Sequence, residues 1–276
     1  MSKPLTKITS AFFKALIIIF AFIGFVLTAG FLAQYFGLTK VPGAIDWRSR
    51  SFSSDTTKPQ TNSAWQQSEE WSTLKKALVK DAPVIQRAAR DAGVSPRLIA
   101  TTIVSEQIRL FTSEREVFKQ IFAPLSILGV QSQFSLGVTG IKYDTAQQVE
   151  ANLQDRTSPF YLGPNFVHLL DFASTTDQGN ERLTRLADQH DHYYSYLYTG
   201  LYLRQVTAQW QRAGVDISHQ PGVLATLFNL GFAKSQPKSN PAIGGAEIEV
   251  GGQKYTFGGL AQEFYDSNEL LTELPR

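Results

Sequence analysis

Nineteen consecutive residues near the N-terminus, ALIIIFAFIGFVLTAGFLA from Ala15 to Ala33, carry a single polar side chain, Thr28. A helix needs about 20 apolar residues to cross the hydrocarbon core of a bilayer, so this run is long enough to span it. Lys3, Lys7 and Lys14 precede it, and Lys14 can snorkel to the interface. A cleavable signal peptide is the competing reading, with Thr28-Ala29-Gly30 as its small-residue site. Its apolar stretch is normally 7–15 residues, and this one continues past Gly30. The expectation is an uncleaved single-pass anchor, residues 1–39, with the large C-terminal body translocated.

Charge follows the same division. The net charge of +2 combines +5 in residues 1–60 with −3 in the remainder. A mildly acidic body lacks the clustered cations that counterion release requires, so nucleic acid is excluded as a partner. With no cysteine in the chain, disulfide frameworks, thiolate metal sites and cysteine nucleophiles are also excluded.

Residues 40–66 are rich in Ser, Thr, Gln and Pro without helical periodicity and read as a tether. Residues 67–276 read as a mainly α domain. A helix is expected over Glu69–Ala92, with Pro83 either interrupting it or starting a second one. Gly93-Val94-Ser95-Pro96 stops one helix and starts the next, with Gly past an end, Ser at an N-cap and Pro at the first turn. Further helices are expected at 96–111, 114–123, 145–153, 164–173, 179–213, 219–231 and 258–270. A hairpin is expected at Glu247–Val250 and Lys254–Phe257 around Gly251-Gly252.

Within the helix from Pro96, Ile99, Ile103, Glu106 and Leu110 follow i, i+4, i+7, i+11 spacing, which places a carboxylate on the apolar stripe. A carboxylate against apolar surface loses solvation, stays protonated more readily and suits a general acid. The alternative is a glutamate at the stripe's edge, reaching water or pairing with Arg109.

The segment from Gly93 to Glu106, GVSPRLIATTIVSE, resembles the catalytic helix of the lysozyme-like lytic transglycosylases, which ends in the acid. Ser135-Leu136-Gly137-Val138-Thr139-Gly140-Ile141-Lys142 is similar to that family's S-x-G-A-x-G-L-M-Q loop, and Thr145-Ala146 to the pair opening its next helix. Gly200-Leu201-Tyr202-Leu203-Arg204 and Ala225-Thr226-Leu227-Phe228-Asn229-Leu230-Gly231 resemble the family's later G-x-x-Y-L and A-x-A-Y-N-A-G segments. The four segments occur in the family's order and cover roughly residues 84–270.

The resemblance implies a lysozyme-like domain acting on peptidoglycan, with no cofactor and no metal. It implies Glu106 as catalytic acid and base, with Gly137, Gly140, Lys142, Phe228 and Asn229 at the glycan. Gly137 and Gly140 would let backbone approach a sugar chain, and the Asn229 amide suits an N-acetyl group. Three positions depart from the pattern: Gln107 stands for the usual Ser, Lys142 stands at the end of the loop where the pattern closes in Met-Gln, and Phe228 stands for a Tyr. A cation at position 142 near Glu106 would favour the carboxylate.

Two functions therefore follow. One is a lytic transglycosylase at the bacterial inner membrane, facing the periplasm, in which the muramyl 6-hydroxyl attacks to give an anhydro product. The other is a catalytically silent glycan-binding or scaffold domain of an envelope assembly. A hydrolytic muramidase would add a second carboxylate, for which Asp144, Glu114 and Glu116 are candidates by proximity in sequence. His190-Asp191-His192 reads as a solvated helix face rather than a metal site, because adjacent helical positions do not converge. The series Tyr193, Tyr194, Tyr196, Tyr198 and Tyr202 reads as core packing, with a sugar-stacking groove as the alternative.

Overall fold

The computed structural model describes residues 63–112, 135–173 and 177–276. The apolar run at 15–33, most of the tether, the helix expected at 114–123 and the candidates Glu114 and Glu116 lie outside the described residues. Among the described residues no helix is long and apolar enough to cross a membrane.

The domain is mainly helical. In chain order it comprises α1 (Glu69–Ala92), α2 (Pro96–Thr112), β1 (Ser135–Leu136), β2 (Ile141–Lys142), α3 (Tyr143–Gln154) and α4 (Gln178–Ala187). There follow α5 (Tyr193–Arg212), α6 (Pro221–Leu230), β3 (Glu247–Val250), β4 (Gln253–Thr256) and α7 (Phe257–Asp266).

Helix α1 starts where the Ser68 side chain accepts from the Trp71 amide, a standard N-cap. Pro83 lies inside the helix and does not end it. The reason is the buried stripe Trp71, Leu74, Leu78, Ala82, Ile85, Ala89 and Ala92, which runs unbroken across the proline. Burying seven such side chains outweighs the roughly 3 kcal/mol that an interior proline costs. Gly93 then ends α1 in the left-handed conformation, φ +69°. A Cβ there would lie 1.9 Å from the Arg204 guanidinium, which donates to the carbonyls of Ala92 and Gly93.

Helix α2 is the centre of the domain. Twelve of its seventeen residues are buried, because α1, α5, α6, α7 and β3 pack around it. Even Arg97 is enclosed. Its guanidinium donates to the carbonyls of Phe264, Tyr265, Ser267 and Glu269, and so satisfies the C-terminal end of α7. At the crossing of α1, α2 and α5, Gly200 removes a side chain that would meet Ala92 at 2.7 Å and Ile99 at 3.1 Å.

Several elements differ from the sequence expectation. Residues 63–66, expected in the tether, are packed into the domain: Ala64–Gln67 is a 3-10 turn, and Trp65 is fully buried edge-to-face against Trp71 and Phe264. The helix expected at 164–173 is a single 3-10 turn, Pro164–Phe166. The long helix expected at 179–213 is two helices. Asp188 ends α4 and accepts from the amides of His190 and Asp191, which turns the chain before α5. The hairpin forms as expected, β3 pairing with β4 antiparallel in the register Glu247↔Thr256.

Candidate functional site

Glu106 sits on the inward face of α2 and is 2% exposed. Its partner is Arg109, one turn along the same helix and 5% exposed. Arg109 Nη2 donates to Glu106 Oε1 at 2.6 Å and Nε donates to Oε2 at 3.1 Å. This is the planar, bidentate geometry in which guanidinium–carboxylate pairs are strongest. Both carboxylate oxygens are thus occupied, and the i+3 pairing weighed as the alternative is the arrangement observed.

The glycine turn closes over this pair. Strands β1 and β2 are antiparallel with Ser135 opposite Lys142, which folds residues 137–140 into a tight turn whose Gly140 amide donates to Gly137 carbonyl. Gly137 and Gly140 both have positive φ, +62° and +64°. A Cβ at 140 would lie 2.1 Å from Glu106 Oε1, and one at 137 would lie 2.1 Å from the Leu186 carbonyl. The glycines therefore serve close packing against protein groups. Gln107, where the family pattern has Ser, donates from Nε2 to the Val138 carbonyl and ties the turn to α2. Thr139 Oγ1 donates to the Ser195 carbonyl and ties it to α5.

The remaining expected residues are placed differently. The Lys142 side chain is exposed at the start of α3 and forms no ion pair with Glu106; among the described residues the cation at the carboxylate is Arg109. Asn229 Oδ1 accepts from the Ala246 amide at 2.9 Å, so its acceptor holds the approach to β3. Phe228 is half-buried and packs edge-to-face on Tyr202, ring centroids 5.2 Å apart. The structure thus brings Gly140 to Glu106 and holds its turn through Gln107, while Lys142, Phe228 and Asn229 make no contact with the carboxylate through hydrogen bond or ion pair. Asp144 is exposed in the first turn of α3.

The aromatic series is packing. Tyr196, Tyr198 and Tyr202 are buried in the core, and the Tyr202 hydroxyl donates to the Leu227 carbonyl. The Tyr198 hydroxyl donates to Glu150, which Arg182 also grips through two nitrogens. Arg182 further donates to the Tyr143 hydroxyl at 2.8 Å. Periodicity gave no signal of this four-residue network, because its members come from α3, α4 and α5. Among the triplet at the α4–α5 break, His192 Nδ1 pairs with Asp81, which also accepts from the Tyr196 hydroxyl at 2.6 Å. No group of three or more His, Asp or Glu capable of holding a metal occurs among the described residues.

Comparison with protein-family models, with curated proteins and with solved structures finds no match to this chain.

Proposed function

We propose that this chain is a lysozyme-like domain, anchored through residues 15–33 in a bacterial inner membrane, that holds peptidoglycan glycan strands in the periplasm and leaves them uncut. The supporting observation is the Glu106–Arg109 pair. A general acid must carry a proton on an oxygen that reaches the glycosidic bond. Both Glu106 oxygens instead accept from one guanidinium, beneath a turn that leaves the residue 2% exposed. The departures at Gln107 and Phe228 agree with this reading. Gln107 fastens the turn down, and Phe228 offers no hydroxyl to a reacting sugar.

The test is incubation of the full-length protein, in detergent micelles, with purified peptidoglycan, followed by sedimentation and mass analysis of the supernatant. The expected result is co-sedimentation without released muropeptides. Anhydro-muropeptides in the supernatant would overturn it, and new reducing ends would indicate a muramidase.

A second reading, a lytic transglycosylase, is favoured by one observation: the two segments most similar to that family meet in space, Gly140 against Glu106. In that reaction Glu106 gives a proton to the leaving glycosidic oxygen as its bond to the muramyl C1 breaks. The carboxylate then takes the proton of the muramyl 6-hydroxyl as that oxygen bonds to C1. Arg109 has to swing away before either step.

A further inference from the structure

A cleft of about 470 Å3 lies between the α1–α2 connection, the C-terminal half of α5 and the chain segment before α6. It is distinct from the Glu106 region. Leu98 lines it, eight residues before Glu106 on α2, which is about 12 Å along the helix axis. Its volume is that of a small-molecule site.

Its charge is one-sided. Arg204, Arg212, Arg276 and His219 line it, and among the described residues no aspartate or glutamate does. Among the described residues none of the three arginines forms an ion pair. Their hydrogen bonds go to neutral carbonyls: Arg204 to Ala92 and Gly93, Arg212 to Pro159 and Tyr161, Arg276 to Tyr265 and Asp266. Asp216 and Asp266, close in sequence to lining residues, have side chains that accept from the Ser218 amide and from Gln262 Nε2. Three guanidinium groups are therefore anchored at one opening without an ion pair among the described residues, and the nearby Asp216 carboxylate acts on His219 at its edge.

The anchoring leaves donors over. Arg204 Nε and Nη2, Arg212 Nε and Arg276 Nη1 make no hydrogen bond among the described residues. A guanidinium held by carbonyls on one edge and open on another is already ordered for an oxyanion, so little side-chain entropy is lost on binding. The N-terminal ends of α2 and α6 also reach the cleft, through Ser95 and Pro221, and contribute partial positive charge. The C-terminal ends of α1 and α5 contribute the opposite sign, but Arg204 donates to the last carbonyls of α1 and Arg212 lies in the last turn of α5. Val94, Leu98 and Leu162 supply an apolar wall.

We propose that this cleft is a binding site for a small multivalent oxyanion, phosphate- or carboxylate-bearing, whose apolar part rests on that wall. The inference is independent of whether Glu106 acts on glycan.

The full-length protein in detergent is titrated calorimetrically with inorganic pyrophosphate and, separately, with citrate. One-to-one saturable binding of either supports the site, and the tighter of the two identifies the phosphate or the carboxylate source. Affinity should fall at least about fivefold between low and physiological salt. It should fall roughly tenfold in Arg276→Gln, and further in Ala208→Glu, which places a carboxylate in the cleft. In the unmodified protein, amide resonances of Val94, Leu98 and Ser218 should shift on binding, which locates the site without any variant. Absence of binding of both anions at about 10 mM overturns the proposal. So does binding that leaves those three amides unmoved, or that persists undiminished in a folded Ala208→Glu.

Discussion

The Gly140 backbone lies so close to Glu106 that a Cβ on residue 140 would stand 2.1 Å from Oε1 and 2.5 Å from the carboxylate carbon. The turn can cover the ion pair only because position 140 lacks a side chain. The glycine that the family resemblance assigns to a sugar is spent here on enclosing a carboxylate. Access to Glu106 thus depends on the turn as much as on Arg109.

Gly140→Ala should destabilise the domain by about 3 kcal/mol, combining a left-handed alanine with overpacking against a buried group. Gly214→Ala is the matched control: φ is +81° there, and nothing lies within 4 Å of the added Cβ. It should cost only about 1 kcal/mol. Urea denaturation of both variants measures the difference. Equal losses would mean that the turn does not press on Glu106.

The ion pair predicts strong coupling. Glu106→Gln alone and Arg109→Gln alone each leave a buried partner uncompensated, and each should cost about 3–5 kcal/mol. The double variant should lose far less than the sum, since two neutral amides can hydrogen-bond to each other. A double-mutant cycle by urea denaturation reads this coupling directly. The Lys254–Glu247 pair, with both side chains about two-thirds exposed, should show almost none. Independent losses at 106 and 109 would contradict the pairing of the two groups.

The core tyrosines predict an alkaline signature. Burial first, then the hydrogen bond to Asp81, pushes the Tyr196 phenol well above its ordinary range. Burial and the neighbouring Glu150 charge do the same to Tyr198, and burial alone to Tyr202. A raised folded pKa means that the contribution to stability is complete below the unfolded value, about 10, and is lost as pH rises beyond it. In a spectrophotometric titration these three phenols should ionise only together with loss of helical circular dichroism. Ionisation of all ten tyrosines ahead of unfolding would refute this.

The limits of the sequence can be traced to particular residues. Caps and turns are local chemistry, so Gly93-Val94-Ser95-Pro96 and Gly251-Gly252 marked true boundaries. Glu106 on an apolar stripe was equally legible, because helical periodicity reports which face is buried. What occupies its oxygens was not, since a stripe does not say whether Arg109 folds back or reaches solvent. The break at Asp188 was masked by the helical patterns on both sides, and it shows in the side chain's acceptance from the His190 and Asp191 amides, which turns the chain there. Trp65 read as tether because its partners, Trp71 and Phe264, include one nearly 200 residues away. The cleft was invisible for the same reason: Arg204, Arg212 and Arg276 converge only once α5 meets the C-terminal segment.

Three aspartates share one position in the architecture, each just beyond a helix end, and together they predict the acid limb of stability. Asp155 follows α3 and accepts from the Thr157 hydroxyl and amide. Asp188 follows α4 and accepts from the amides of His190 and Asp191, and Asp216 follows α5 and accepts from the amide of Ser218. Hydrogen bonds to the charged form hold all three below the ordinary aspartate range: chiefly the Thr157 hydroxyl for Asp155, the His190 amide for Asp188 and the Ser218 amide for Asp216. A folded pKa below the unfolded one gives stability that is present above the unfolded value, about 3.9, and lost as pH falls through the folded value. Stability should therefore be level down to about pH 5 and decline below about pH 4. In Asp155→Asn/Asp188→Asn/Asp216→Asn each amide oxygen can still accept the turn's hydrogen bond, but no carboxylate remains to protonate. The variant should unfold at a somewhat lower urea concentration than the parent at neutral pH, because a neutral amide accepts more weakly than a carboxylate, and its stability should fall less steeply below about pH 4. Urea midpoints measured from neutral pH down to about pH 2 decide the matter, and parallel acid limbs would remove these turns as its cause.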